Sequence, residues 1–173
     1  MCQLTRGFAV DCNDAVSGIK NLYIASSSQA GIATQNATGE ITAFAGSGTP
    51  FFKYELKDQN ADWLSTPQVS ETAGTTFYQN AVNFTLTKNE QAKRNELKLL
   101  ASGKGCVVIA EGWDGKFWVI GFSNGAKWTG GQMQVSRNWG ELNGFNVTLQ
   151  SNETEPPAEI KYSAFSSLVA TNS

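Results

Sequence analysis

Acid–base and nucleophilic chemistry near neutral pH most often uses histidine, and none is present among the 173 residues. That absence also removes the leading transition-metal ligand. What remains is a few carboxylates, thiols and ammonium groups. Asp114 stands beside Lys116 in Trp113-Asp114-Gly115-Lys116, where a carboxylate next to an ammonium could do catalytic work. Asp-Gly is also the pair that a tight hairpin turn requires, because both residues accept positive φ, and the turn is the reading adopted. Glu153 with Glu155, and Asp11 with Asp14, offer paired carboxylates, but neither pair has calcium-loop spacing and both read as solvated loop. Cys106 opens an apolar run with no His to activate it, so it reads as a small buried hydrophobe. Gly103-Lys104-Gly105 lacks the Ser or Thr that follows the Lys of a phosphate loop. No catalytic, cofactor-binding or metal-binding residue is assigned, and the expectation is a protein that is not an enzyme and needs no cofactor.

Trp113, Trp118, Trp128 and Trp139 crowd the C-terminal half. Flat rings can stack on sugar faces, but core and subunit interfaces use Trp in the same way. Trp63, Leu64, Trp128 and Trp139 are taken as candidate interface anchors. Charged residues make up 16% of the chain, against about 25% in an average domain. Uncharged polar surface is cheap to desolvate, which suits a protein that buries its outside against partners; a β-rich domain with many turns has the same composition. A net charge of −2 leaves no excess of cations to grip a phosphate backbone, so DNA is expected only as a passing, non-specific occupant. Cys2, Cys12 and Cys106 are odd in number and lack metal-site spacing. With no leader-like opening and no bilayer-length apolar run, cytoplasmic synthesis without membrane attachment is expected.

The residues read as a single domain over 1–173, mainly β, with one flanking helix. A strand is expected at 19–25. Residues 26–37 and 58–75 are polar and poor in core residues, and are candidate inter-subunit arms. The alternation of Val82, Phe84 and Leu86 with Asn83, Thr85 and Thr87 predicts a half-buried strand ending near 87. Thr87-Lys88-Asn89-Glu90 has capping-box spacing ahead of a helix over about 88–102, with Leu97, Leu100 and Ala101 inward, Lys93 and Arg94 outward, and Gly103 as its stop. Residues 105–111 and 116–122 are apolar on both faces and predict central strands joined through Asp114-Gly115. Further strands are expected at 126–136, at 145–150 and at 159–162, with a C-terminal tail over 164–173 that docks on a neighbour. Asn83, Thr85, Asn146, Thr148 and Gln150 form the polar sides of two alternating strands.

The order of elements from Phe77 to Glu155 resembles phage tail tube proteins of tailed phages of Bacteroidetes. The residues concerned are Val82-Asn83-Phe84-Thr85-Leu86-Thr87, the helix Asn89 to Leu97, Val107-Val108-Ile109-Ala110, and Gly115-Lys116-Phe117-Trp118-Val119-Ile120-Gly121. Asn124-Gly125, Thr129-Gly130-Gly131, Leu142 to Leu149 and the acidic Asn152 to Pro156 complete the series. The resemblance implies a β-sandwich or partly closed barrel with one flanking helix. It further implies a virion subunit that closes into stacked, hexameric rings around a channel for DNA ejection. Its partners would be itself and other phage tail proteins, and the polar set Asn83, Thr85, Asn146, Thr148 and Gln150 would face the lumen or a subunit seam. Two alternatives stay open: another β-rich virion subunit (tail terminator, head completion or capsid decoration), and a carbohydrate-binding or adhesion module.

Overall fold

Residues apolar on both sides of a strand need cover on both faces, and the central sheet shows how this chain provides it. The computed structural model describes residues 7–9, 15–46, 48 and 50–169. β1 (Ile19–Ser26) pairs antiparallel with β4 (Phe52–Glu55) on one side and β7 (Cys106–Gly112) on the other. β7 forms a hairpin with β8 (Phe117–Ile120), and β11 (Ala158–Glu159) lies beyond it, giving a five-stranded sheet in the order β11-β8-β7-β1-β4. A second sheet, ordered β5-β6-β10-β9, is antiparallel throughout and contains β5 (Ala61–Ser70), β6 (Thr75–Thr87), β10 (Asn143–Glu153) and β9 (Lys127–Val135).

Alternation along β7 divides its side chains between two cores. Cys106, Val108 and Ala110 join Leu22, Ile24, Val82, Phe84, Val147 and Leu149 between the two sheets. Val107 and Ile109 point the other way, into a second core with Tyr23, Phe51 and Phe117. That second core is covered by α1 (Ser27–Ala30), by the small hairpin β2 (Ala33–Gln35) and β3 (Ile41–Phe44), and by α3 (Tyr162–Phe165). The five-stranded sheet is thus buried on both faces, whereas the four-stranded sheet is buried on one. The expected mainly β fold is found, as a β-sandwich with minor helix. Among the described residues no barrel closes: both large sheets keep free edges.

Several expectations need correction. α2 (Gln91–Ser102) starts later than residue 88, and the capping box does not form: Glu90 is the N-cap and makes no side-chain cap bond. Thr87 is still in register with Gly144, and the chain leaves the sheet through Lys88 at φ 66°, which displaces the helix start. Gly103 does end the helix, its N–H bonding to the Leu99 carbonyl at 3.0 Å. Only Leu97 is buried; Ala101 is exposed and Lys93 is half-buried, its ammonium donating to the Thr87 carbonyl at 2.8 Å.

Residues 26–37 are not without core residues. Ala30 is fully buried, and its carbonyl accepts the Gly46 N–H at 2.8 Å, so small residues succeed as core where a close backbone approach needs them. The stretch 58–75 is not a core-poor loop either, since most of it is β5 and the turn into β6. The strand expected at 159–162 stops at Glu159, and Tyr162 opens α3. The C-terminal segment packs on its own domain: Phe165 and Leu168 are buried, and Phe51 donates its N–H to the Leu168 carbonyl at 3.3 Å. Residues 170–173 lie outside the described ones, as do Cys2, Cys12, Asp11 and Asp14.

Candidate functional site

The strand period places Asn83 and Thr85 on the side of β6 opposite Val82 and Phe84, and pairing with β10 sets Asn83 against Thr148 and Thr85 against Asn146. The register brings these separated polar residues into two hydrogen-bonded sets. Thr148 Oγ1 donates to Asn83 Oδ1 at 3.0 Å, Asn83 Nδ2 donates to Asp62 Oδ2 at 3.0 Å, and Thr85 Oγ1 donates to Asn146 Oδ1 at 2.9 Å. Gln150 stands on the same face, opposite Ala81 and Lys127, and Gln132 extends the face across β9. A shallow hollow of about 330 Å³ lies along Asn60, Asp62, Asn83, Thr85, Asn146 and Thr148. Asp62 and Lys127 bring opposite charges to an otherwise uncharged surface. Such a surface holds water well and neither attracts nor strongly repels a polyanion.

Among the described residues both edges of this sheet are free. β5 offers ten residues and β9 nine, each with a row of backbone N–H and C=O groups that no other described strand pairs. Because neighbours alternate in direction across four strands, β5 and β9 run oppositely. A bare edge of this length is a template for another strand. β10 reaches only to the Glu153–Tyr78 pair, while β5 and β6 continue together to Ser70–Thr75. The end of that hairpin therefore extends past the sheet, with Val69 67% exposed.

The four expected anchors separate. Trp63 and Trp128 are partly buried against the domain's own core, Trp63 near Trp118 with ring centres 5.7 Å apart, and the Trp128 ring nitrogen donates to the Gly130 carbonyl. Leu64 and Trp139 are exposed, and so is Trp113. A groove of about 500 Å³ between α2 and the sheet has Leu97, Trp128, Met133 and Phe145 in its wall, with Arg94 and Lys98 along it.

The groups that could do chemistry take structural positions. Asp114 Oδ1 accepts the Lys116 N–H at 3.1 Å, and Gly115 has φ 79°, as a hairpin turn requires. Burial pushes the Cys106 thiol up to about 12, and its Sγ contacts the Ala126 carbonyl at 3.2 Å. Glu153 is not in a solvated loop: it is buried at the end of β10, and its carboxylate accepts the N–H groups of Ser123 and Asn124 and the Asn80 amide. Glu155 accepts from Gln35 at the surface. Among the described residues no three His, Cys, Asp or Glu side chains gather as a metal site, and no helix is long and apolar enough to cross a membrane.

Asp62, Gln132 and Met133 belong to the face and its edge but were not singled out from the sequence. The signal that hid β5 is specific: Leu64 is out of phase with an inward Trp63, and Pro67 interrupts the run. On β9 the Gly130-Gly131 step and a register shift beside it blur the period. Comparison of the chain with protein-family models, curated proteins and solved structures finds no match.

Proposed function

We propose that this chain is a virion structural protein, a tail tube subunit whose copies join into rings that stack to form a channel for DNA ejection. The observation that supports it best is the four-stranded sheet with one bare polar face, charged only at Asp62 and Lys127, and, among the described residues, two free edges of opposite direction. Head-to-tail repetition of such a sheet satisfies both edges at once, and a rotation that closes gives a ring. The polar face then lines the lumen, where Asn83, Thr85, Asn146, Thr148 and Gln150 let DNA pass without holding it. Six copies is the number that the tail tube resemblance implies, and the extended β5–β6 hairpin is the element placed to reach a neighbouring ring. Other tail proteins at the ends of the stack are the remaining partners, and the virion is its destination.

Electron microscopy of the purified full-length protein tests this reading. Rings or tubes with a central channel are the expected result. A protein that stays monomeric at the highest accessible concentration, and binds components of a glycan array, would replace it with the adhesion-module reading.

A further inference from the structure

We infer the register of the seam: β9 of one copy pairs antiparallel with β5 of the next, displaced by four residues, setting Met133 against Trp63 and Gln132 against Leu64 of the next copy. This rests on the ring reading and adds to it which edges meet and in what alignment.

The orientation of the backbone groups limits the choices. The Thr85 N–H bonds to the Asn60 carbonyl at 3.0 Å, so even-numbered residues of β5 turn their backbone groups to β6 and odd-numbered ones face the free edge. The Ser136 N–H bonds to the Leu142 carbonyl at 3.3 Å, so in β9 Gly131, Met133 and Val135 face outward. A ladder must join outward residues to outward residues, and it must keep the polar face continuous. Only displacements by an even number of residues do both.

Length and proline select among the even displacements. Ala61 shares its cross-strand row with Phe84, Val147 and Gly131, and β9 continues four residues past that row, to Val135. A displacement of two would set Val135 against Gln59, which lies before β5 at φ 62° and cannot continue a ladder. A displacement of six would set Pro67, which has no N–H, against Gly131 in the middle of the ladder. At four, all of β9 lies against β5, and Pro67 falls at Thr129, the residue at which the β9 register already shifts. On the inner side, Trp63 then covers Met133, which is 50% exposed in the single chain, and Ala61 covers Val135, which is 69% exposed.

The same displacement has the right size for closure. Four residues across four strands is one residue per strand, the ratio of an eight-stranded barrel with a shear of eight, whose strands tilt by about 36°. The ratio does not depend on copy number, so this seam sets strand tilt and leaves ring size to the sheet's curvature.

Cysteine pairs in the full chain test the register. In a background with Cys2 and Cys12 replaced by Ser, Gln132→Cys is combined with Leu64→Cys, Asp62→Cys or Thr66→Cys, all at exposed positions. In one copy these positions lie on opposite edges of the sheet, about 14 Å or more apart, too far for an internal bond. The expected result is a ladder of disulfide-linked multimers for Gln132→Cys with Leu64→Cys, and loss of that linkage for the other two pairs. Linkage strongest with Asp62→Cys or Thr66→Cys would overturn the register while keeping the edges. Rings by microscopy with no linkage in any pair would overturn the seam and leave the ring reading standing. Monomers with no linkage would overturn both.

Discussion

Glu153 accepts the backbone N–H of Ser123 at 2.9 Å, and both residues lie where the end of β10 meets the loop after β8. The carboxylate is buried, with the Asn124 N–H and the Asn80 amide as further donors. A buried acceptor with three donors is costly to remove, because the fully buried Asn80 amide is left unpaired and the loop at Ser123 and Asn124 loses its tie to β10. Glu153→Ala is expected to destabilise the fold by about 3 kcal/mol, and Glu153→Gln by less, since an amide oxygen still accepts from the loop. Urea unfolding of both variants checks the order; equal losses would mean that the loop bonds contribute little.

Lysines at Asn146 and Thr148 test the lumen assignment. Both positions are on the bare face, away from the free edges, so rings should form as before. DNA passage should slow, and more strongly at low salt, because an added ammonium on each copy attracts phosphate. Unchanged ejection kinetics from particles carrying both substitutions would count against a channel lined by this face.

Gly121 is held at φ 79°, and a Cβ there would stand 2.7 Å from the Ala126 nitrogen and 2.9 Å from the Cys106 carbonyl oxygen. Gly121→Ala combines a left-handed backbone with a steric clash and is expected to cost about 3 kcal/mol. Gly74→Ala, at φ 63° but with open space around it, should cost about 1 kcal/mol. Thermal or urea unfolding of the two variants separates strain from crowding.

The Tyr23 hydroxyl donates to Glu111 at 2.9 Å, and burial, then this bond, raise its pKa above the ordinary value. The folded state therefore favours the protonated phenol. This contribution to stability is complete below the unfolded-state pKa of about 10 and is lost as pH rises from there toward the folded-state pKa. Unfolding free energy should fall across that alkaline window, and Tyr23→Phe should flatten the fall.

The Cys106 thiol, raised to about 12 by burial, should stay neutral and unreactive in the folded protein at pH 8. Labelling of Cys106 with a thiol reagent is expected only after denaturation. Rapid labelling of native protein at Cys106, located by peptide mass spectrometry, would show that β7 opens readily.

Strand period was the legible part of the fold. β6 and β10 alternate cleanly, so their polar sides could be named in advance, and β7 and β8 are apolar on both sides, so their central place could be too. Less legible were elements whose residues are small or out of phase. Ala30 gives no hydrophobic signal yet is fully buried, and β5 carries Leu64 and Pro67 at positions that break an alternating pattern. The helix start was misplaced because capping-box spacing is local, whereas the ladder that holds Thr87 against Gly144 is not.

By itself the sequence determined that chemistry based on His is absent, that the chain is strand-rich, and which residues of β6 and β10 turn away from the core. Side-chain direction along one strand follows from backbone geometry alone, so no partner is needed to read it. Tertiary structure decided which strands became neighbours, and with them the Asn83–Thr148 and Thr85–Asn146 bonds, the burial of Glu153, and the two open edges. Those features depend on contacts between segments about thirty to seventy residues apart, or on a partner strand that the described residues do not supply. No local pattern carries that information, because register is a relation between two strands and not a property of either.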